Sequence, residues 1–168
     1  EVLRSPADRM ILDLRNNPGG YLEVSQDLTG WFVEPGSLVA IEDFGNGQEA
    51  TEYKASGNGV LKNMPLVVLI NEGTASASEI MAGALRDDRG VKLIGIKSFG
   101  KGSVQELSGL REGTSLKVTI AKWLTPSKKS IMNEGLEPDV KVELKKEDID
   151  NMKDPQLDKA IEMILKQK

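Results

Sequence analysis

PLVVLINEGTASASEIMAGALRDDRGVKLIGI, Pro65–Ile96, decides the fold in one stretch. Its opening PLVVLI is the longest apolar run of the chain. It is too short to span a membrane and suits a buried strand. Ser76 to Asp88 follows a tight Glu72-Gly73-Thr74 turn and brings Ala77, Ile80, Met81, Ala82, Ala84 and Leu85, a set that packs well as a helix. Val91–Ile96 then reads as a second strand. Strand, helix, strand with short joints is a βαβ unit, which crosses over right-handed within one sheet.

Working outward, MILDL (Met10–Leu14) reads as a short buried strand that ends in RNNPGG, Arg15–Gly20, a strong turn signal. Leu22, Val24, Leu28, Trp31 and Phe32 space as a helix over Tyr21–Val33, stopped by Glu34-Pro35-Gly36. Ser37–Phe44 and Glu49–Ala55 flank Gly45-Asn46-Gly47 and read as a β-hairpin. Beyond Gln105, Ser115–Trp123 and Val140–Leu144 read as strands around a turn-rich excursion, TPSKKSIMNEGLEPD. Asp154-Pro155 has the form of an N-cap and first helical residue. With Leu157, Ile161, Ile164 and Leu165 it predicts a terminal helix over 146–168, docked on the core or on a neighbour. The expectation is an α/β fold: a mixed β-sheet with flanking helices.

Composition narrows the chemistry. At 168 residues one domain with an appendage is expected. There is no cysteine and no histidine, so no disulfide, no thiolate site and no imidazole base exists, and a zinc site would rest on carboxylates alone. A net charge of −4 argues against a nucleic-acid partner, which needs a basic face. EVLRSPADRM has no signal-peptide pattern and runs almost directly into a strand, so the expectation is a piece of a longer chain.

Ser76 stands at the mouth of the predicted helix, where free N–H groups and the helix dipole favour negative charge. The Ala77 amide is well placed to hold an oxyanion, and glycines of the Pro18-Gly19-Gly20 turn let a second amide approach from the same sheet edge. By itself, Ser76 with Glu79 is a capping box, and that structural reading outweighs catalysis. Ser78 falls inside the helix and is the weaker nucleophile. Lys101 lies in SFGKGSVQ, Ser98–Gln105, between two glycines. Lysine ordinarily titrates near ~10.4, so a lysine base has to be desolvated. Phe99 and Val104 are the expected apolar cover, and Gln105 is a neutral amide able to orient the amine. Taken singly Lys101 is a solvated turn lysine; the pairing with Ser76 reverses that and points to a Ser-Lys hydrolase. Gly95-x-x-x-x-Gly100-Lys101 begins like a P-loop, but Gly102 stands where the magnesium-holding hydroxyl belongs and strand-like sequence follows.

Four blocks, ILDLRNNPGG, NEGTASASEI, GIKSFGKGSVQ and TPSKKSIMNEGLEPDV, together resemble the carboxyl-terminal processing peptidases, also called tail-specific proteases. The resemblance covers most of residues 8–144. It implies a crotonase/ClpP-like peptidase core, with Ser76 as nucleophile, Lys101 as general base and Gln105 positioning the lysine. Ala77 and either Gly19 or Gly20 would form the oxyanion hole. Asp87 falls where some members carry an acidic residue that affects activity. No metal or cofactor is implied. Substrates would be proteins or peptides with exposed C-termini, in an extracytoplasmic setting, and terminal segments would offer a homodimer contact. Residues 1–145 are then expected to be the catalytic core, without the family's usual PDZ domain, and 146–168 a helical tail. The alternatives are a catalytically inactive peptide-binding fragment of the same fold and a P-loop-like nucleotide-binding module.

Overall fold

A computed structural model describes residues 2–110 and 113–167. It contains two four-stranded sheets. The first is parallel, in the order β1 (Met10–Asp13), β4 (Leu66–Ile70), β5 (Lys92–Gly95), β8 (Val140–Lys141). The second is antiparallel, in the order β3 (Thr51–Lys54), β2 (Leu38–Asp43), β7 (Ser115–Leu124), β6 (Ser103–Gly109). The α/β expectation holds, with the parallel and antiparallel pairings sorted into separate sheets. Among the described residues, four α-helices complete the fold: α1 (Leu22–Thr29), α2 (Ala77–Arg89), α3 (Lys146–Asp150) and α4 (Pro155–Lys166). Among the described residues, no helix is long and apolar enough to cross a membrane.

Strand β4 is the centre of the molecule, and all five of its residues are buried. Side chains alternate between the faces of a strand, and the two faces meet different layers. Leu66, Val68 and Ile70 join the main core with Ile80, Met81, Leu85 and Val39. Val67 and Leu69 face Ala160 and Ile164 of α4. Continuous apolar sequence is what a parallel strand covered on both sides requires. Helix α2 is buried from Ala77 to Leu85 because it lies between this sheet, α1 and β2. It ends at Gly90, whose φ of 66° is the left-handed C-cap that glycine adopts without strain.

The βαβ unit, the β2–β3 hairpin and the Asp154 N-cap stand as expected. Four boundaries differ most, one of them β8, which covers Val140–Lys141 where Val140–Leu144 is expected. Helix α1 is shorter than the apolar spacing implies; Trp31 and Phe32 belong to the following turn yet still pack on the core. The tail forms two helices, because Asn151 to Asp154 break the run. The strand after Lys101 begins at Ser103 and pairs with β7 as a long ribbon.

Leu85 is fully buried at the centre of α2. Leu85→Ala is expected to lower the unfolding free energy by about 2–5 kcal/mol, read from urea denaturation midpoints at constant slope.

Candidate active site

The carboxyl ends of β1, β4 and β5 converge on one edge, and loops after each strand build the site there. After β4, Asn71 to Ala75 form a compact turn: Asn71 N–H donates to Thr74 Oγ1 (3.0 Å), and the Thr74 hydroxyl donates to the Leu14 carbonyl of the neighbouring loop (2.8 Å). The chain then reaches Ser76, half-buried, with φ 56° and ψ −124°. A side chain rarely adopts that conformation, and strain of this kind gathers at functional sites. It presents Ser76 at the N-terminus of α2, directly before the Ala77 amide. Among the described residues no acceptor takes the Ala77 N–H.

The glycine turn closes on this point. Gly19 has φ 91°, and a Cβ placed there would lie 2.7 Å from Ala77 N and 2.9 Å from Ser76 Cβ. Only glycine lets the two loops approach so closely. Its N–H is already committed to Asn17 Oδ1 (3.0 Å). The Gly20 N–H has no acceptor among the described residues. Asn17 also accepts the Ala75 N–H on its carbonyl (3.0 Å), which ties the two loops together.

Glu79 joins the serine to the lysine. Its side chain is wholly buried and accepts four hydrogen bonds. Oε1 takes the Ser98 hydroxyl (2.6 Å) and the Gly100 N–H (2.7 Å). Oε2 takes the Ser76 N–H and the Lys101 N–H, each at 2.9 Å. One carboxylate oxygen therefore holds both backbone nitrogens, which lie within twice that distance of each other. The sequence marked Glu79 only as a capping residue. Its second set of partners, 19 to 22 residues on, leaves no local signature. Ser98 is a further unforeseen link, since its oxygen also accepts the Leu136 N–H (2.7 Å). With Asn133 N–H donating to the Gly100 carbonyl (2.9 Å), the late Thr125–Val140 block walls in the lysine turn.

The side chain of Lys101 is exposed, and Phe99, 67% exposed, gives it no cover. Val104 is half-buried and Gln105 exposed. These residues lead into the β6–β7 ribbon, which extends past the core, so apolar residues there are not automatically buried. A bulge between Val104 and Gln105 shifts the register of β6. No hydrogen bond joins Lys101 Nζ to Ser76 or to Gln105 among the described residues. Lys101 is followed by a strand, so this loop opens no helix of the kind that receives phosphates in a P-loop. Asp87 lies near the far end of α2 from Ser76, where it accepts the Ser127 hydroxyl (2.6 Å) and N–H (3.0 Å). Burial pushes its carboxyl up; hydrogen bonds from Ser127 and Thr125 and the nearby Arg86 charge more than offset that, leaving it below its ordinary range. It anchors the excursion loop to the helix.

Beside Ser76, a mostly apolar cavity of about 220 Å³ opens between α1, α2 and the glycine turn, lined by Leu14, Tyr21, Val24, Leu28, Ala77 and Met81 among others. The Ser25 hydroxyl, also at its wall, donates to the Ala77 carbonyl (3.0 Å).

The site thus brings together a strained serine on a helix N-terminus, unpartnered amides and an adjacent pocket. Peptidase family S41 matches residues 1–142, and the chain belongs to that serine protease family. It is 40% identical over 148 residues to a probable CtpA-like serine protease of Staphylococcus aureus (strain COL), covering 86% of this chain and 30% of that protein. A probable CtpA-like serine protease of Staphylococcus haemolyticus (strain JCSC1435) is 39% identical over 133 residues, covering 79% of this chain and 27% of the relative. The chain thus spans less than a third of these relatives' length. Among solved structures, a photosystem II D1 C-terminal processing protease superposes with a TM-score of 0.74 at 35% identity, over 84% of this chain and 36% of that one. The tricorn protease shares the fold at a TM-score of 0.67 and 23% identity.

Glu79→Gln puts an amide NH2 where two donors now point, the Ser76 and Lys101 N–H groups at one oxygen or the Ser98 hydroxyl and Gly100 N–H at the other. The substitution is expected to destabilise the fold by at least about 2 kcal/mol, from buried donors left unpaired. Urea unfolding of the purified variant reads this directly.

Proposed function

We propose that this chain is the catalytic portion of a serine endopeptidase that works through a Ser76–Lys101 dyad and cuts protein substrates near their C-terminus. The reading also takes the setting to be extracytoplasmic, on the family resemblance. The observation that carries the dyad is the shared Glu79 oxygen, which holds the backbone of both residues beside the unpartnered Ala77 amide.

In the proposed reaction, neutral Lys101 takes the proton of the Ser76 hydroxyl as Oγ attacks the scissile carbonyl. The oxyanion is held by the Ala77 N–H and, because the Gly19 N–H is engaged by Asn17, by the Gly20 N–H. Such donors are worth roughly 2.7–4 kcal/mol each in measured cases. The carbonyl–nitrogen bond breaks, the lysine ammonium passes its proton to the departing amine, and an acyl-enzyme remains. Water, deprotonated by Lys101, then attacks the acyl carbonyl; the bond to Ser76 Oγ breaks, the lysine ammonium returns its proton to Oγ, and the acid leaves. Lys101 is exposed here, so the reading assigns its desolvation to the substrate: a peptide lying across the site excludes water from the amine and favours its neutral form. Gln105 is assigned to orienting the amine in that complex.

The cavity beside Ser76 is the natural receiver of the side chain preceding the scissile bond, and its lining calls for an apolar one. Peptides with Ala, Val or Leu there are expected to exceed those with Asp or Lys by at least about tenfold in kcat/KM, measured across a synthetic series; an equal or reversed order would remove the pocket from the reading.

Ser76→Ala and Lys101→Ala are each expected to abolish cleavage while leaving the fold intact, and Lys101→Arg to be inactive too because arginine stays charged. Active-site labelling with a fluorophosphonate, with turnover of a peptide in parallel, decides the matter. Proteolysis retained in either alanine variant refutes the dyad, and an unlabelled Ser76 in an inactive wild type favours the non-catalytic peptide-binding reading.

A further inference from the structure

Arg15, at the entrance to the glycine turn, is held from a distant part of the chain. Nη1 donates to Asp154 Oδ1 (2.9 Å) and Gln156 Oε1 (3.0 Å), and Nη2 to Asp154 Oδ2 (2.8 Å) and Asp13 Oδ2 (2.7 Å). Nε donates to Asp13 Oδ1 (3.0 Å). All five N–H groups of the guanidinium are thereby used. Its side chain is only 14% exposed. Gln156 is almost wholly buried and fixed in turn by donating to the Val142 carbonyl (2.8 Å). A forked guanidinium–carboxylate pair of this kind sets direction as well as attraction.

From Arg15 the chain passes through Asn16, at φ 56°, whose N–H donates to Asn71 Oδ1 (2.8 Å). Asn17 follows, bonded to Ala75 and Gly19. The glycine turn has no ladder of its own. Its position relative to Ser76 is set by these latches, and the outermost of them stands on α4. That helix also docks through apolar packing, with Ala160 and Ile164 buried against Val67, Leu69 and Ile94.

We propose that Asp154 and Gln156 of the C-terminal helix are positioning residues for the oxyanion turn, holding Arg15 so that the Gly20 amide stands correctly over Ser76. The proposal rests on the hydrolytic reading above and extends it to a part of the chain beyond the residues the family match covers. Misplacing a catalytic group by about 1 Å can cost roughly 100-fold in rate, so a clamp of modest stability has a large kinetic lever.

Asp154 also caps α4 by accepting the Leu157 N–H (2.9 Å), and Asn is as good a cap as Asp. Asp154→Asn therefore keeps the cap and removes the charged fork. The test is kcat and KM for a peptide substrate, with the melting temperature and fluorophosphonate labelling of Ser76, in wild type, Asp154→Asn, Asp154→Glu and Gln156→Met. Expected are a fall in kcat of about tenfold or more for Asp154→Asn with KM within about twofold, a smaller fall for Gln156→Met, and partial recovery in Asp154→Glu. Should Asp154→Asn fail to fold, the kcat of Gln156→Met against that of Asp154→Glu decides. An unchanged kcat in a folded Asp154→Asn or Gln156→Met protein, with wild type labelled at Ser76, overturns the clamp alone. A wild type that neither turns over nor labels overturns the hydrolytic reading, and the clamp with it.

Discussion

A carboxylate taken out of water is costly unless donors replace the solvent. Glu79 is wholly buried, and all four of its donors come from the two segments that make the site. Three are backbone N–H groups, which fixes the path of the chain and not merely the place of a side chain. The carboxylate needs the Ser98–Lys101 turn to fold against the start of α2. That turn, lacking regular structure, needs the carboxylate to satisfy its amides. The serine, the lysine and the wall behind them are consequences of that mutual requirement.

The site is also assembled by close approach. Gly19 brings the first βα loop into contact with the Ser76–Ala77 peptide, and the Thr74 hydroxyl reaches the Leu14 carbonyl. These contacts stand at the carboxyl ends of parallel strands, where open α/β sheets usually place their ligands. The strained backbone of Ser76 fits the same picture. A rigid strand on one side and a buried helix on the other over-determine the residue between them, and the surrounding packing carries the strain.

The two sheets divide the labour. The parallel sheet, covered on both faces, supplies the rigid frame. The β6–β7 ribbon carries the residues that follow Lys101 outward, where Leu107, Leu116, Val118 and Ile120 stay exposed. A lysine at the root of such a ribbon keeps its water until something covers it. Phe99, in the turn before Lys101, is exposed as well, so the expected apolar shelter is absent.

Much was legible without coordinates. The apolar run of β4, the small-residue helix after it and the glycine signals after β1 are local patterns, set by periodicity and by the backbone freedom of glycine. They gave the βαβ unit, the serine at its helix start and the two loops that meet there. Which glycine amide remains unpaired was not legible, because it depends on where the Asn17 side chain turns. Nor was the second life of Glu79: a capping box is local, whereas its bonds to Ser98, Gly100 and Lys101 exist only once β5 lies beside β4. The bond between Arg15 and Asp154 is hidden for the same reason, since sequence records short-range preference and only packing brings distant charges into register.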